Sequence, residues 1–254
     1  MNTTPLYDVV IASYYEPFWK LVPQILEHAP QSRVRIMDNG NRHYLWAKDK
    51  ANTFLLEDNI GFVKATNAGI AMSTAPYVVL LNDDTMIYNN VFDRMRYYFE
   101  QDPKVGIVGA VQSPGFSWVC INNRREIYDE YAHITKESEI SQEGHAKIAQ
   151  DIAVKHNQQG IGASMVPFFC VMIKREVIEK VGYLSEEYGV GLGDDDDYCE
   201  RVHRAGYKVL LALDCYVYHK QRTTFKELYT PEQIKDMTTK NIAFFKQKWG
   251  KEIV

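Results

Sequence analysis

The sequence predicts a single-domain α/β fold, built on a mostly parallel central sheet with helices on its faces. Short apolar runs of strand length alternate with segments whose apolar residues have helical spacing, which is typical of βαβ units. Polar residues rarely interrupt the runs, as in strands that are buried on both faces. Acidic residues follow several runs directly, at the sheet edge where open α/β folds bind ligands.

Composition limits the class of protein. The chain has 254 residues, 46% of them apolar and 24% charged, as in an ordinary globular domain. The net charge of −4 does not favour nucleic acid as a partner. No apolar run approaches the ~18 residues of a membrane span, and no signal peptide is evident. We therefore expect a cytoplasmic protein, with peripheral contact at the inner membrane face left open and the oligomeric state undetermined.

The predicted elements alternate along the first half of the chain. Apolar runs predict strands at 7–13, 34–37, 53–56, 77–81 and 105–110, and helical spacing predicts helices at 18–28, 61–73 and 91–101. Residues 112–160 are polar without a clear period and predict a variable excursion. Four residues with rings, Trp118, Tyr128, Tyr131 and His133, could form one wall of a binding site. The alternative is an ordinary surface excursion or an oligomer contact.

The second half repeats the alternation. Strands are predicted at 165–174, 209–213 and 215–219, and helices at 175–181, 198–204 and 231–249. The last helix has Pro231 in its first turn, where proline is favoured. A glycine-rich loop at 189–193 precedes four consecutive acids.

The tripeptide Asn82-Asp83-Asp84 directly follows the apolar run Tyr77–Leu81. Adjacent carboxylates repel each other unless a cation, hydrogen bonds or water offset the repulsion. The pair therefore predicts a site for a divalent metal and an anionic ligand such as a phosphate. The alternative is that an acid here caps a following helix.

Asp194 to Asp197 form a second acidic cluster. Like charges at this density indicate a cation or acid–base site, and the alternative is a solvated segment before a helix. His219 ends the last strand, and its imidazole with the Asp84 carboxylate suits Mn²⁺ or Mg²⁺, although a core histidine is the alternative. Lys220 and Arg222 would suit a diphosphate or be ordinary surface charge.

Six segments, in order, resemble the family 2 glycosyltransferases of the GT-A fold, and they cover most of the chain outside 112–160. Residues 9–16 resemble the opening strand and donor loop of the family, and residues 36–40 resemble its V-D-N-G-S nucleotide segment. Residues 59–70 match its N-x-G-F-x-x-A-x-N-x-G-I segment. Taken alone, Asp38-Asn39-Gly40 is also typical of a turn.

The other three segments carry the family's acidic motifs and its histidine. Leu81 to Thr85 resembles the D-x-D element, with Asn82 in place of the first Asp. The segment 193–207 resembles G-E-D-x-D-L-C-x-R…R-A-G-Y, with Asp194 in place of Glu, and 217–219 resembles V-x-H. The end of the chain, 241–249, is similar to the closing R-N…F…K-W.

The resemblance implies a role for each matching residue. Asp195 would be the general base, with Asp194 as the alternative, and Asp84 and His219 would hold Mn²⁺ or Mg²⁺. The donor would be bound by polar residues at strand ends and loops: Ser13, Tyr15, Glu16, Asp38, Asn67, Asn82, Asp83, Lys220 and Arg222.

The resemblance also implies one Rossmann-like GT-A domain over 1–254. Its parts would be a nucleotide-sugar-binding half, the variable excursion, an acceptor and catalytic half, and a C-terminal helix: 1–111, 112–160, 161–230 and 231–254. As in rhamnosyltransferases, a hexosyl or deoxyhexosyl group would move with inversion from a UDP- or dTDP-linked donor. The acceptor would be a glycan or lipid-linked hydroxyl in surface polysaccharide synthesis.

Two alternative functions are weighed against this expectation. A sugar-phosphate nucleotidyltransferase would have a glycine-rich basic loop after the first strand, but 13–17 contains neither Gly nor Lys. A catalytically silent carbohydrate-binding domain would have lost the base or the metal ligands, and both Asp195 and His219 are present.

Overall fold

A nine-stranded mixed sheet lies at the centre of the computed structural model, which describes residues 4–14, 21–40, 52–56, 58–113, 141–220 and 227–253. Its strands are β1 Tyr7–Ser13, β2 Ser32–Asn39, β3 Asn52–Leu56, β4 Tyr77–Leu81, β5 Thr85–Ile87, β6 Val105–Ser113, β7 Gly160–Gly162, β8 Cys170–Lys174 and β9 Lys208–His219. The helices are α1 Leu21–His28, α2 Phe62–Ala71, α3 Val91–Gln101, α4 Gln142–Lys155, α5 Arg175–Val181, α6 Asp194–Arg204 and α7 Pro231–Trp249. A 3₁₀ turn lies at Glu186–Tyr188.

The sheet is parallel in its N-terminal half and largely antiparallel beyond it. Its order is β3-β2-β1-β4-β8-β6-β9-β5, with β7 paired to β9. The pairs among β1 to β4 are parallel, whereas β8 lies antiparallel between β4 and β6. The predicted α/β single domain is confirmed, but the sheet is mixed rather than mostly parallel. Apolar runs carry no information about strand direction, so this feature was not evident from the sequence.

Helices cover both faces of the sheet, which explains its uninterrupted apolar strands. Val9 and Val79 face a core formed with α1 and α3, while the next residues, Val10 and Leu80, face a second core formed with α2, α4, α5 and α6. Alternate residues along each strand thus enter different cores. Among the described residues, no helix is both long and apolar enough to span a membrane.

Several predicted boundaries differ from the structure. The strand predicted at 165–174 begins at Cys170, since Pro167 has no N–H to donate within a central strand. The two strands predicted at 209–219 are one strand, β9, with a register shift between Ala212 and Tyr216. The helix predicted to start at Tyr198 starts at Asp194. Acids are favourable in a first turn, where the helix dipole is positive.

Three elements were not predicted: the short strands β5 and β7 and the helix α4. The short strand β5, rather than a helix, follows Asp84, so this acid does not cap a helix. Helix α4 lies within the predicted excursion. Ser141 caps α4 by accepting a hydrogen bond from Gly144 N at 3.2 Å, and Ala149 and Ile152 are among the residues that α4 buries. The four rings noted at 118–133 lie outside the described residues.

Asp8 is a buried charge at the start of the parallel sheet. Its carboxylate accepts two hydrogen bonds from Arg33, at 2.6 and 2.8 Å, and one from Arg35 at 3.0 Å. The backbone N–H groups of Thr74 and Ala75 donate to it at 2.6 and 2.8 Å. These five donors outweigh the effect of burial and lower the pKa of Asp8 to about 2.

Replacing Asp8 with Asn is expected to destabilise the fold by about 3 kcal/mol at pH 7, because two arginines lose a buried partner. The pKa of Asp8 is lower in the folded chain than the ordinary 3.8. Its contribution is therefore complete above about pH 4 and is lost as the pH falls towards 2. Urea unfolding at pH 7 and at lower pH measures both effects.

The matched control for this prediction is Asp151→Asn. Asp151 pairs with Lys147 at 2.7 Å on the surface, with 65% of its side chain exposed. Exposed pairs of this kind contribute less than about 1 kcal/mol. Equal stability of the two variants at pH 7 would contradict the structural role assigned to Asp8.

Candidate active site

A cavity of ≈ 410 Å³ lies at the carboxyl ends of β1, β2 and β4. Its lining includes Asn82, Asp83 and Asp84 from the turn after β4, His219 from the end of β9, and the pair Asp194 and Asp195 from the first turn of α6. The two acidic clusters of the sequence therefore meet in one cavity. The structure places this cavity at the sheet edge predicted to bind ligands.

Asp83 ties the turn after β4 to the end of β1. Its Oδ2 accepts a hydrogen bond from Ser13 Oγ at 2.8 Å and another from Tyr14 N at 3.3 Å. Ser13 is fully buried. Both bonds fix the loop that follows β1 against the turn that carries Asp84.

Asp84 and His219 form a close pair. The Oδ1 of Asp84 lies 3.1 Å from Nε2 of His219, with 8% and 13% of the side chains exposed. Two features hold them together: Thr85 and His219 are partners in the β5–β9 ladder, and Lys220 N donates to Asp84 O at 3.0 Å. The His219 ring stacks on Phe169 with centroids 5.0 Å apart and planes inclined by 10°. The imidazole orientation is therefore set from two sides.

Asn82 completes this cluster with an unsatisfied oxygen. Its Nδ2 lies 3.3 Å from His219 Nε2. Its Oδ1 is buried and has no hydrogen-bond partner within the described part of the chain. A buried amide oxygen without a partner is costly, and this one belongs to a side chain whose nitrogen contacts the imidazole.

The three side chains fit a divalent cation that takes its remaining ligands from a substrate. Oxygen donors from Asp84 and Asn82 suit Mg²⁺ or Mn²⁺, and His219 adds a borderline nitrogen donor. Among the residues that the structure describes, no group of three or more His, Cys, Asp or Glu side chains could hold a metal ion. Ions bound through one or two carboxylates usually complete their shell with substrate phosphates and water.

The four acids of the second cluster have different surroundings. Asp194 and Asp195 line the cavity, whereas Asp197 is fully buried behind it and bound to Arg201 at 2.9 Å and to Trp249 Nε1 at 2.9 Å. Burial and the neighbouring charge of Asp195 raise the pKa of Asp194 to about 8. Burial also raises the pKa of Asp195, although Asp196 N donates to its Oδ1 at 3.1 Å. A pair of acids with raised pKa values in a cavity is typical of a proton-transfer site.

Several predicted donor-binding residues do not line this cavity. Asn67 is buried at the packing of α2, where its amide donates to Leu184 O at 2.9 Å and accepts from Leu184 N at 3.0 Å. Asp38 is fully buried at the end of β2, and Lys220 is exposed. Tyr15, Glu16 and Arg222 lie outside the described residues.

Several other residues of the cavity wall were not predicted to be site residues from the sequence. Asn39 and Asn59 form a hydrogen-bonded unit, in which Asn39 Nδ2 donates to Asn59 Oδ1 at 2.9 Å and Ile60 N donates to Asn39 Oδ1 at 2.8 Å. Both residues stand in segments that resemble the family, so a signal existed. Phe168 and Phe169 also line the cavity. They belong to an apolar run that carried no such signal.

Two solved glycosyltransferases have the same fold, each with a TM-score of 0.60. One is GalNAc-T7, crystallised with UDP, GalNAc and Mn²⁺; it is 12% identical, and the match covers 86% of this chain and 44% of GalNAc-T7. The other is the mannosyltransferase PcManGT from Pyrobaculum calidifontis in complex with GDP-Man and Mn²⁺; it is 15% identical, with 94% and 69% covered. The chain thus has the GT-A fold.

A family model makes the assignment more specific. The model described as glycosyltransferase like family 2 matches residues 53–231, which is more than half of the chain. The chain therefore belongs to this glycosyltransferase family. The match includes Asp84, Asp195 and His219, which line the cavity.

A curated relative shares the sequence over much of this chain. The uncharacterized protein y4gI of Sinorhizobium fredii (strain NBRC 101917 / NGR234) is 26% identical over an alignment of 191 residues, and the match covers 72% of this chain. The match covers 19% of y4gI, so the chain spans about a fifth of the length of that relative.

Proposed function

We propose that this chain is an inverting, metal-dependent glycosyltransferase that moves a sugar from a nucleotide-diphosphate donor to an acceptor hydroxyl. The observation behind this proposal is that one cavity is lined by the Asp84–His219 pair, by Asn82 and by the acidic pair Asp194 and Asp195. The Oδ1 of Asn82 has no hydrogen-bond partner among the described residues. The first group suits a cation and a diphosphate, and the second suits a base.

In this proposal Asp195 is the general base, and Asp194 is the alternative. The acceptor hydroxyl must lose its proton as its oxygen attacks the anomeric carbon, and a carboxylate in the cavity can take that proton. Attack on the face opposite to the departing diphosphate inverts the anomeric centre. The raised pKa of Asp195 makes its carboxylate a stronger base than an exposed aspartate.

Asp84 and His219 would hold the cation, and Asn82 Oδ1 would supply a neutral ligand. When bound, the cation would stabilise the negative charge that develops on the departing diphosphate. Lys220 and Arg222 remain proposed contacts to the phosphates, and Ser13, Asp38 and Asn67 remain proposed contributors to the donor site. Ser13 acts through the position of Asp83, to which it donates.

Our proposals for the donor, the transferred sugar and the acceptor rest on the family resemblance and not on the geometry of the cavity. We propose a UDP- or dTDP-linked hexose or deoxyhexose as the donor, in the manner of rhamnosyltransferases. The acceptor would be a glycan or a lipid-linked sugar, in surface polysaccharide synthesis at the cytoplasmic face of the inner membrane.

A thermal-shift panel of nucleotide sugars with Mn²⁺ or Mg²⁺ tests the proposal. At a hundredfold excess over Kd, a donor adds about 2.7 kcal/mol of stability. For a domain of this size we expect the melting temperature to rise by about 5 to 10 °C. The gain should disappear when EDTA replaces the metal.

Two outcomes would contradict the proposal. Absence of binding by every donor in the panel, with either metal present, would exclude a nucleotide-sugar transferase. Release of pyrophosphate from a nucleoside triphosphate and a sugar 1-phosphate would instead favour a nucleotidyltransferase.

A further inference from the structure

The segment 188–193, called here the glycine loop, leads directly into the acidic pair and has an unusual backbone. Gly189, Gly191, Leu192 and Gly193 have φ values of 63°, 121°, 72° and 113°. In the described part of the chain, four residues other than glycine have a positive φ, and Leu192 is one of them. Such a conformation costs about 1 kcal/mol or more. A loop of this kind persists only when its surroundings hold it.

The side chain of Asn241, on α7, contacts the glycine loop from outside the cavity. Its Nδ2 donates to three backbone oxygens, those of Tyr188 at 3.2 Å, Gly191 at 2.8 Å and Leu192 at 3.0 Å. The conformation of the loop brings three carbonyl oxygens close together, and their partial negative charges repel each other. The two N–H groups of the Asn241 amide offset this repulsion. Asn241 does not line the cavity.

Other residues of α7 and of the segment after it also contact the glycine loop and the start of α6. Tyr188 packs edge-on against Phe244, with ring centroids 5.2 Å apart, and Trp249 donates to Asp197. A Cβ on Gly193 would lie 2.9 Å from Ile253, so the chain end closes directly over the start of α6. Within α7, all of which the structure describes, only Phe245 is buried. The helix is therefore attached largely through contacts to the loop and the acidic helix.

We propose that Asn241 is a positioning residue for the acidic pair: it holds the glycine loop in its left-handed conformation and thereby sets Asp194 and Asp195 in the cavity. This inference rests on the proposed function. Asn241 touches neither the cavity nor the reacting atoms, so it acts through the loop alone. The donor-side cluster around Asp84 and His219 lies on other elements and should be unaffected.

The sharpest test is Asn241→Asp, because it keeps the shape of the side chain and replaces the donor with an acceptor that faces three carbonyl oxygens. We expect kcat for donor hydrolysis or transfer to fall by about 10- to 100-fold, the loss typical of a small misplacement of a catalytic group. The donor Kd should not change. Asn241→Ala removes the donor without adding a charge and should shift kcat in the same direction.

Gln247→Glu is the matched control, since it makes the same amide-to-acid change at an exposed position of α7. Hydrogen exchange of the peptide 188–197 should become faster in Asn241→Asp and stay unchanged in Gln247→Glu. A merely structural role would lower stability and donor affinity together, without this split between kcat and Kd.

The outcomes separate the two proposals. Unchanged kcat and exchange in both Asn241 variants would overturn the positioning role, as would an equal loss of donor affinity. If the unaltered protein binds no nucleotide sugar, the proposed function fails. The exchange measurement would still decide whether Asn241 holds the loop.

Discussion

Replacing Asp195 with Asn is expected to lower the rate of sugar transfer by about 10²- to 10⁴-fold, while donor and metal binding stay nearly unchanged. Asn has the same size as Asp but cannot take the proton of the acceptor hydroxyl. Rates of transfer, or of donor hydrolysis where water is the acceptor, measure the first effect. Calorimetric titration with a nucleotide sugar and Mn²⁺ measures the second.

The pH dependence provides a further sign of the base. Burial raises the pKa of Asp195, so in the unaltered enzyme the rate should fall as the pH falls through that raised pKa and the base becomes protonated. Asp195→Asn should lack this acid limb.

An exposed aspartate and the neighbouring Asp194 provide the controls for this prediction. Asp151→Asn makes the same change on the surface of α4, where 65% of the Asp151 side chain is exposed, and should leave kcat within a few-fold of the unaltered enzyme. Asp194→Asn tests the alternative base. Transfer that survives in Asp195→Asn and is lost in Asp194→Asn would assign the base to Asp194, and survival in both would exclude a base from this pair.

Removal of the Asp84 carboxylate or the His219 imidazole is expected to abolish the metal dependence of donor binding. Loss of an outer partner of a ligand already weakens metal affinity by about 10- to 100-fold, so loss of a direct ligand should exceed this. Mn²⁺ titration of Asp84→Asn and His219→Ala, followed through donor affinity, measures the change. Affinity for the nucleotide alone, without metal, should be affected much less.

His28→Gln is the control for the metal prediction, because this histidine ends α1 and does not line the cavity. Its Mn²⁺ titration should match that of the unaltered protein. Full Mn²⁺-dependent donor binding in both Asp84→Asn and His219→Ala would show that the pair does not hold the cation.

Local patterns predicted the elements that depend on local chemistry. Helix α7 begins and ends where the sequence predicts, since Thr230 and Gln233 form a capping box and Pro231 occupies the first turn. The strands β1 and β4 were predicted from their apolar runs because both faces of the sheet are covered. Acids directly after apolar runs likewise predicted the edge of the sheet at which the cavity lies, because the carboxyl ends of parallel strands lie at one edge.

Features that depend on contacts between distant parts of the chain could not be predicted from the sequence. The direction of β8 and the joining of two predicted strands into β9 are set by pairing with partners far along the chain. The roles within 194–197 likewise diverge through packing, since Asp197 meets Trp249 while Asp194 and Asp195 face the cavity. Charge and spacing alone do not distinguish these four acids, although the family resemblance singles out Asp195 with Asp194 as the alternative.

The sequence by itself determined the α/β class, the two acidic clusters and the histidine as candidate site residues, because charge at the end of a buried strand is a local pattern. Only the tertiary structure decided that Asp84 and His219 lie 3.1 Å apart, although 135 positions separate them in the numbering from 84 to 219. It also shows that Asn241 donates to three backbone oxygens of the loop before Asp194. Such pairings depend on sheet order and helix packing, which no local run of residues encodes.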